Sequence, residues 1–307
     1  MADYKEIGGI KIQTIAGNPS VSVAGQLWYN STTAQFKGNI YYNGVWTTSS
    51  ATMNNGRKSV GSAGSSSNDG VVAAGITLNG SQSNQNATET FDGSAWSNAN
   101  TVNTTRRGLG SAGISGTAAL IFGGYLDPYT GASEKWDGTN WTTTPSLNSN
   151  RDNIGGGGTS TSALAIAGQQ GVSITAEVES WNGSSWTTGT SNPNVERLWI
   201  SAAGKSNSDV LAWAGMSYSG GYSSYTTCYL WDGPDTTTEI WDGTSWTAGN
   251  PLNTAQTQGG SNGSGPSNTA AWYAGGTAPA FTSPGDEGWT GTQIYNFGAD
   301  TVTLAPA

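Results

Sequence analysis

The string "TEIWDGTSWT" (238–247) places two tryptophans around an Asp-Gly pair, with a glutamate just upstream. Nearly the same string stands at three earlier places: "TETFDGSAWS" (88–97), "SEKWDGTNWT" (133–142) and "VESWNGSSWT" (178–187). The second aromatic residue of these strings is Trp96, Trp141, Trp186 and Trp246, and an earlier equivalent is Trp46. Successive members of this series are 50, 45, 45 and 60 residues apart. The chain is therefore built from an internal repeat.

A second signature precedes each string. An arginine stands seven residues before a glycine at Arg57/Gly64, Arg106/Gly113, Arg151/Gly158 and Arg197/Gly204, and a small apolar run such as "ALAIAG" follows. A fifth copy reads "QTQGGSNG" and then "TAAWYAGG". Each period thus predicts four strands: the first carries the arginine and glycine, the second is buried on both faces, and the repeated string forms the last two. Asp-Gly or Asn-Gly suggests a two-residue type I′ turn.

Four strands in each period of 45 to 60 residues predict an all-β fold, a β-propeller with one blade per period. We favour five blades. Six is the alternative, because "NIYYNGVWT" (39–47) supplies an additional third-plus-fourth-strand unit. We expect the repeated tryptophans to pack between neighbouring blades rather than to bind ligand.

Composition excludes several functions. The 307 residues include 46 glycines and only 10% charged residues, which disfavours long helices. There is no histidine and a single cysteine, Cys228, so we expect no zinc site, no metal, no cofactor and no Ser-His or Cys-His catalysis. A net charge of -9 with 11 scattered Lys and Arg argues against nucleic-acid binding. Without a signal peptide or a long apolar stretch, we expect synthesis in the cytoplasm and no membrane insertion.

A column of glutamates matches the column of arginines. Each glutamate lies seven residues before its tryptophan, and in the last period both positions become glutamine. Because a lone buried charge is costly, a joint change suggests contact between the two columns. We predict one structural pair per blade: Arg57 with Glu89, Arg106 with Glu134, Arg151 with Glu179, Arg197 with Glu239, and Gln256 with Gln293.

Two resemblances follow from these motifs. Glycine pairs after an apolar strand, then an aromatic residue and a tryptophan, resemble kelch-type propeller repeats over about residues 39–307, with a shorter aromatic spacing. The segment "GQLWYNSTTAQFKGNIYYNGVWTT" (25–48) resembles a hairpin of tailed-bacteriophage tail-fibre and appendage proteins, and "ADYKEIGGIKIQTIAGNPSV" (2–21) is similar to their N-terminal arm. The second resemblance implies a virion-docking arm and hairpin at residues 1–37, followed by the propeller at 38–307.

Catalysis is not expected. "WDGTNW" (136–141) resembles the Asp-box of sialidase propellers, but such a glycosidase needs three arginines converging on one carboxylate. Here the arginines stand one per blade at equivalent positions, and only Arg107 lies off the column. We predict no catalytic residues, with a sialidase-like glycosidase kept as an alternative. "NDG" (68–70) and "WDGPD" (231–235) indicate turns rather than calcium ligands.

Segments that break the repeat favour binding. The gap from the glycine after the second strand to the Glu or Gln column runs 14, 10, 11, 24 and 17 residues, so two loops are enlarged. The same connection in successive blades emerges on one face of a propeller, and aromatic residues amid Ser and Gly suit recognition loops. The candidate binding residues are Tyr125, Tyr129, Tyr218, Tyr222, Tyr225, Tyr229, Trp231, Phe281 and Trp289.

The phage resemblance and these loops together predict a virion protein, a tail fibre or appendage that binds a host surface glycan or receptor protein. The alternative is a head-decoration or tail-assembly component whose loops only contact other virion subunits. The N-terminal arm is expected to contact other virion proteins, and a homo-oligomer is compatible with the sequence.

Overall fold

The computed structural model describes residues 3–7, 10–16, 27–32, 35–38, 50–66, 68–77, 83–171, 173–218, 231–234, 237–249, 251, 260–261, 270–274, 292–296 and 302–303. The chain divides into two compact units, one formed by Met1–Ser49 with Asn296–Ala307, the other by Ser50–Tyr295. The sequence had placed this boundary at residue 37 and had given the whole C-terminal end to the propeller. Strand pairing of the C-terminal residues with the N-terminal hairpin, given below, accounts for the difference.

The first unit is a mixed sheet that contains the predicted hairpin. Its first four strands are β1 (Asp3–Ile7), β2 (Ile10–Ile15), β3 (Leu27–Asn30) and β4 (Gln35–Gly38). The β3–β4 hairpin pairs Leu27 with Gly38, while β2 runs parallel to β3. Within the hairpin the Asn30 side chain accepts the Thr32 backbone N–H at 3.0 Å, an Asx turn.

The second unit begins with a short pair, β5 (Arg57–Lys58) and β8 (Ile76–Thr77), beside a four-stranded sheet. That first blade consists of β6 (Gly61–Ser66), β7 (Asp69–Ala73), β9 (Thr88–Phe91) and β10 (Trp96–Ala99). The second blade is β11 (Gly110–Ser115), β12 (Ala118–Phe122), β13 (Ser133–Trp136) and β14 (Trp141–Thr144). The third is β15 (Gly155–Thr159), β16 (Ser162–Gln170), β17 (Ser173–Trp181) and β18 (Trp186–Thr188).

The fourth blade is β19 (Ser201–Ser206), β20 (Asp209–Trp213), β23 (Thr238–Trp241) and β24 (Trp246–Ala248). A two-stranded ribbon, β21 (Met216–Tyr218) with β22 (Trp231–Pro234), lies in its loop. A three-stranded sheet follows in the fifth period: β25 (Gly260–Ser261), β26 (Ala270–Ala274) and β27 (Thr292–Asn296). The last strand, β28 (Val302–Thr303), pairs with β4 of the first unit.

Each blade is an antiparallel sheet in the predicted strand order, and successive first strands lie side by side. The second unit is therefore a β-propeller, with four four-stranded blades among the described residues. The extra unit at 39–47 lies outside the described residues. No helix within the described part of the chain is long and apolar enough to cross a membrane.

The hydrophobic core lies between the blades. One cluster joins Val71 of the first blade to Ile121 and Trp136 of the second, and similar clusters join the second blade to the third and the third to the fourth. The innermost strands approach so closely that a Cβ on Gly156 would collide with the Ser111 backbone. This approach explains the glycine-rich first strands.

Two local expectations were wrong. Residues 92–95 form a four-residue connection between Phe91 and Trp96, not a type I′ turn. The Asp92 carboxylate accepts the backbone N–H groups of Ala95 and Ser94, each at 2.8 Å, and Gly93 takes the positive φ of 93°. These N–H groups lower the pKa of Asp92 to about 2. The Asp side chain thus supplies the turn hydrogen bonds that a tight hairpin makes through its backbone.

The second wrong expectation concerns the arginines, which do not lie on the first blade strands. Arg106 precedes β11 in the connection that enters the blade, and Arg57 lies on the short strand β5. The arginine therefore leads into the blade instead of belonging to its sheet.

Candidate functional site

The structure brings each arginine of the column against the glutamate of the same blade. The Nη1–Oε1 distance is 2.5 Å for Arg106 and Glu134, and 2.6 Å for Arg151 and Glu179. Arg197 Nη2 lies 2.7 Å from Glu239 Oε2, and Arg57 pairs with Glu89 in the same way. All eight side chains are buried. Gln256 and the side chain of Gln293 lie outside the described residues.

Each glutamate also holds the connection between two blades. Glu134 accepts the backbone N–H groups of Asn103 at 2.6 Å and Thr104 at 3.1 Å, three and two residues before Arg106. Burial raises the pKa of Glu89, but the hydrogen bonds from Arg57 and the Asn54 N–H outweigh it, and the net pKa is lowered. The Glu89 carboxylate is thus an ionised acceptor that fastens the chain to the blade.

An asparagine column was missed by the sequence analysis. Asn103 Nδ2 donates to the Trp141 carbonyl at 3.1 Å, and Asn148 Nδ2 donates to the Trp186 carbonyl at 3.3 Å. The signal was present as Asn-x-x-Arg, because Asn54, Asn103, Asn148 and Asn194 each stand three residues before the arginine. Arg, Glu and Asn together form a fastening that recurs in every four-stranded blade, which indicates a structural role.

The segments that connect one blade to the next and the loops between the second and third strands lie at the same end of the blades, which we call the loop face. Tyr125 and Tyr129 lie there in the second blade's loop, with ring centroids 5.3 Å apart and an edge-to-face angle of 86°. The Tyr129 hydroxyl donates to the Gly171 carbonyl of the third blade at 2.8 Å. Between the tyrosines, Leu126 is 45% exposed.

Arg107 ties the loops of two blades together. Its guanidinium carbon lies 4.6 Å from the Tyr125 ring centroid, and its Nη1 donates to Asn84 Oδ1 at 2.9 Å. Asn84 Nδ2 in turn donates to the Tyr125 carbonyl at 3.1 Å. The two tyrosine rings are therefore held by contacts from the first, second and third blades, a preorganised arrangement.

Of the other predicted binding residues, Tyr218 and Trp231 stand opposite each other in the β21–β22 ribbon. Their side chains are not described. The predicted binding residues that lie outside the described part of the chain are Tyr222, Tyr225, Tyr229, Phe281 and Trp289.

Asp152 was missed by the sequence analysis, because nothing in its sequence context sets it apart. It directly follows Arg151, the residue is 8% exposed, and its Oδ1 has no hydrogen-bond partner among the described residues. Burial raises the pKa of Asp152 to about 7, although the charge of Arg107 acts in the opposite direction. Asp152 is thus a buried carboxyl group at the loop face that titrates near neutral pH.

A chain of backbone hydrogen bonds links the blades beside Asp152. Gly108 N donates to the Ser59 carbonyl at 3.0 Å, Asn153 N to Gly108 at 2.6 Å, and Trp199 N to Asn153 at 3.0 Å. All four residues have positive φ, between 54° and 64°. Each is the second residue after its column arginine, so the segments that enter the blades form a repeated, hydrogen-bonded belt. Within the described residues, no group of three or more acidic or cysteine side chains could hold a metal ion.

No family model matches this sequence, and no curated protein matches it. Among solved structures, one described as "Structure of YjhT" matches with a TM-score of 0.65, covering 88% of this chain and 90% of that chain at 13% sequence identity. At this identity the likeness concerns the fold alone. Together with the blade topology it establishes the class: the chain is a β-propeller protein.

Proposed function

We propose that the protein is a structural component of a tailed-phage virion, a tail-fibre or appendage protein whose loop face binds a host surface glycan. The kelch-type repeats and the phage-like segment at 25–48 support the assignment to this class. One observation carries the binding role: Tyr125 and Tyr129 are fixed by Arg107, Asn84 and the neighbouring blade. Aromatic rings with amide and guanidinium groups around them suit the apolar faces and hydroxyl groups of sugars.

A purely structural role, in head decoration or tail assembly, is the second proposal. The exposure of Leu126, 45%, favours it, because an exposed aliphatic side chain on a fixed loop suits contact with another protein. A sialidase-like glycosidase is less well supported, since four arginines are buried against glutamates and are not free to bind a substrate carboxylate.

The full chain should be applied to an array of purified bacterial surface polysaccharides, together with the variants Tyr129→Ala and Ile114→Ser. Ile114 is 48% exposed at the opposite end of the second blade, so it is a matched surface control. We expect saturable binding to at least one polysaccharide, weakened by Tyr129→Ala and unchanged by Ile114→Ser. Absence of binding to every polysaccharide, or equal effects of both variants, contradicts glycan binding at this face. Release of shortened saccharides from the array would favour the glycosidase.

A further inference from the structure

The turn between the last two strands of the third blade contains an Asn-Gly pair. The chain has five such pairs, and two of them, Asn55–Gly56 and Asn182–Gly183, lie among the described residues. Both asparagines are exposed, and so are the glycines that follow them. An Asn-Gly pair is chemically labile, because glycine leaves its own backbone nitrogen open to approach by the asparagine side chain. The turn is therefore a candidate site of covalent modification.

The turn folds the Asn182 side chain over the backbone that follows it. Its Oδ1 accepts the backbone N–H groups of Ser184 and Ser185, each at 2.9 Å, and the Ser184 hydroxyl at 2.9 Å. The hydrogen-bonded ring that the Ser184 N–H closes contains both the Cγ of Asn182 and the backbone nitrogen of Gly183. These two atoms are thus held within one small ring, an Asx turn.

The same three donors polarise the side-chain amide of Asn182. Attack on its Cγ places negative charge on Oδ1, and donors that already lie at hydrogen-bond distance from this oxygen stabilise the charge without reorganisation. Gly183 adopts a positive φ of 95°, which glycine tolerates without strain. The turn therefore combines a nearby nitrogen atom with a stabilised oxygen atom.

The equivalent turns of the other four-stranded blades already hold an aspartate. Asp92, Asp137 and Asp242 stand at this position. Thr139 and Asn140 donate their backbone N–H groups to the Asp137 carboxylate at 2.8 and 2.7 Å, and the other two turns have the same pair of bonds. The N–H three residues after each aspartate is the largest cause that lowers the pKa of its carboxyl group. This turn therefore accommodates an ionised aspartate.

We infer that Asn182 is a site of spontaneous deamidation, which converts the turn of the third blade to the aspartate form of the other blades. The Gly183 nitrogen forms a bond to Cγ and gives up its proton, the C–N bond of the side-chain amide breaks, and ammonia leaves. The product is a cyclic imide. Water then adds to one of the two imide carbonyls and opens the ring, which gives aspartate or isoaspartate. The inference does not depend on the proposed glycan binding.

The test follows deamidation of the full chain at neutral pH by peptide mapping with mass spectrometry. Asn55 is the matched control within the same molecule, because it also precedes an exposed glycine. Among the described residues its bonds are made by the backbone alone: its N–H donates to Glu89 at 3.3 Å, and its carbonyl accepts from Arg57 at 3.2 Å. We expect Asn182 to react about tenfold faster than Asn55, since only Asn182 has donors on its side-chain oxygen.

Unfolding separates the effect of the turn from that of the sequence. In urea both Asn-Gly pairs lose their surroundings, so the two rates should converge through slowing of Asn182. In the folded chain, Ser184→Ala removes the hydroxyl donor but keeps both backbone N–H donors, and should slow Asn182 by about threefold. The inference is overturned by a folded-state rate at Asn182 that does not exceed that at Asn55, by faster reaction of Asn182 in urea, or by an unaltered rate in Ser184→Ala.

The variant Asn182→Asp carries the aspartate product from the start. It should keep the urea midpoint of the wild type, because the equivalent turns bond an aspartate through the same backbone N–H groups. A lower midpoint would contradict the conversion to a turn like those of the other blades.

Discussion

Trp186 donates its indole N–H to the Ser133 hydroxyl across the boundary between the second and third blades, at 3.1 Å. The preceding boundary repeats this bond, from Trp141 to Thr88 at 2.9 Å. Both acceptors stand directly before the glutamate of the column. At the next boundary this position is Val178, and the indole N–H of Trp246 is buried without a partner among the described residues. Of the three boundaries between the four described blades, the one between the third and fourth blades thus lacks this hydrogen bond.

Replacing the acceptor should therefore have opposite effects at two boundaries. Ser133→Ala leaves the Trp186 N–H buried and unpaired, and should lower the free energy of unfolding by about 1–3 kcal/mol. Val178→Thr offers a hydroxyl to Trp246 at nearly constant volume, and should raise it by about 1 kcal/mol. Urea unfolding followed by tryptophan fluorescence measures both. If Val178→Thr lowered the free energy of unfolding instead, a hydroxyl at this boundary would not stabilise the protein as Ser133 does, and the prediction would be wrong.

The buried ion pairs should behave as coupled units. Arg106→Gln leaves Glu134 buried with its partner charge removed and should cost about 3–5 kcal/mol. The double variant Arg106→Gln with Glu134→Gln should cost less than the sum of the single variants, since neutral amides can bond to each other. Arg106 suits this cycle better than Arg151, which also lies 3.8 Å from Glu177. Additive effects in urea unfolding would contradict the coupling.

The asparagine column should contribute less than the ion pair. Asn103→Ala removes the bond from Nδ2 to the Trp141 carbonyl but retains the backbone N–H that Glu134 accepts. The expected loss is about 1 kcal/mol, the usual net value of one hydrogen bond. A loss as large as that of Arg106→Gln would mean that the asparagine side chain, not the charge pair, holds the connection.

Periodicity decides which of these features the sequence predicts. The blades and the pairing of Arg106 with Glu134 follow from columns that repeat in register, and the last period supported the pairing by changing both positions together. Asn103 was as periodic as Arg106, but asparagine is so frequent in this chain that its column does not stand out. The turn at Asp92 was misread because Asp-Gly serves both a tight hairpin and a longer Asx turn.

Asp152 shows the limit of this approach. Burial between neighbouring blades raises the pKa of Asp152 and the Arg107 charge opposes it, and a repeat pattern contains neither effect. The same limit applies to the loops between the second and third strands. The sequence gives their length and composition but not the contacts that fix a ring such as that of Tyr129.

Asp152 predicts a specific pH dependence of stability. Its pKa rises from 3.8 to about 7 on folding, so the folded state binds the proton more tightly. The contribution of Asp152 to the free energy of unfolding is fully present below pH 3.8. It is lost as the pH rises to about 7, by about 1.4 kcal/mol per pH unit at most. Asp152→Asn should therefore gain stability relative to the wild type across this interval and keep a constant difference above it. A difference that does not change with pH would contradict the burial of an ionisable Asp152.

The loop face as the binding surface is tested most directly by hydrogen–deuterium exchange of the full chain with and without the polysaccharide that it captures. The account predicts slower exchange on binding in residues 124–131 and 168–171, where the loops of the second and third blades meet through Tyr129. It predicts no change in the turns at 115–118 and 159–162, at the opposite ends of the same blades. Protection confined to those turns, with none at the loop face, would contradict it.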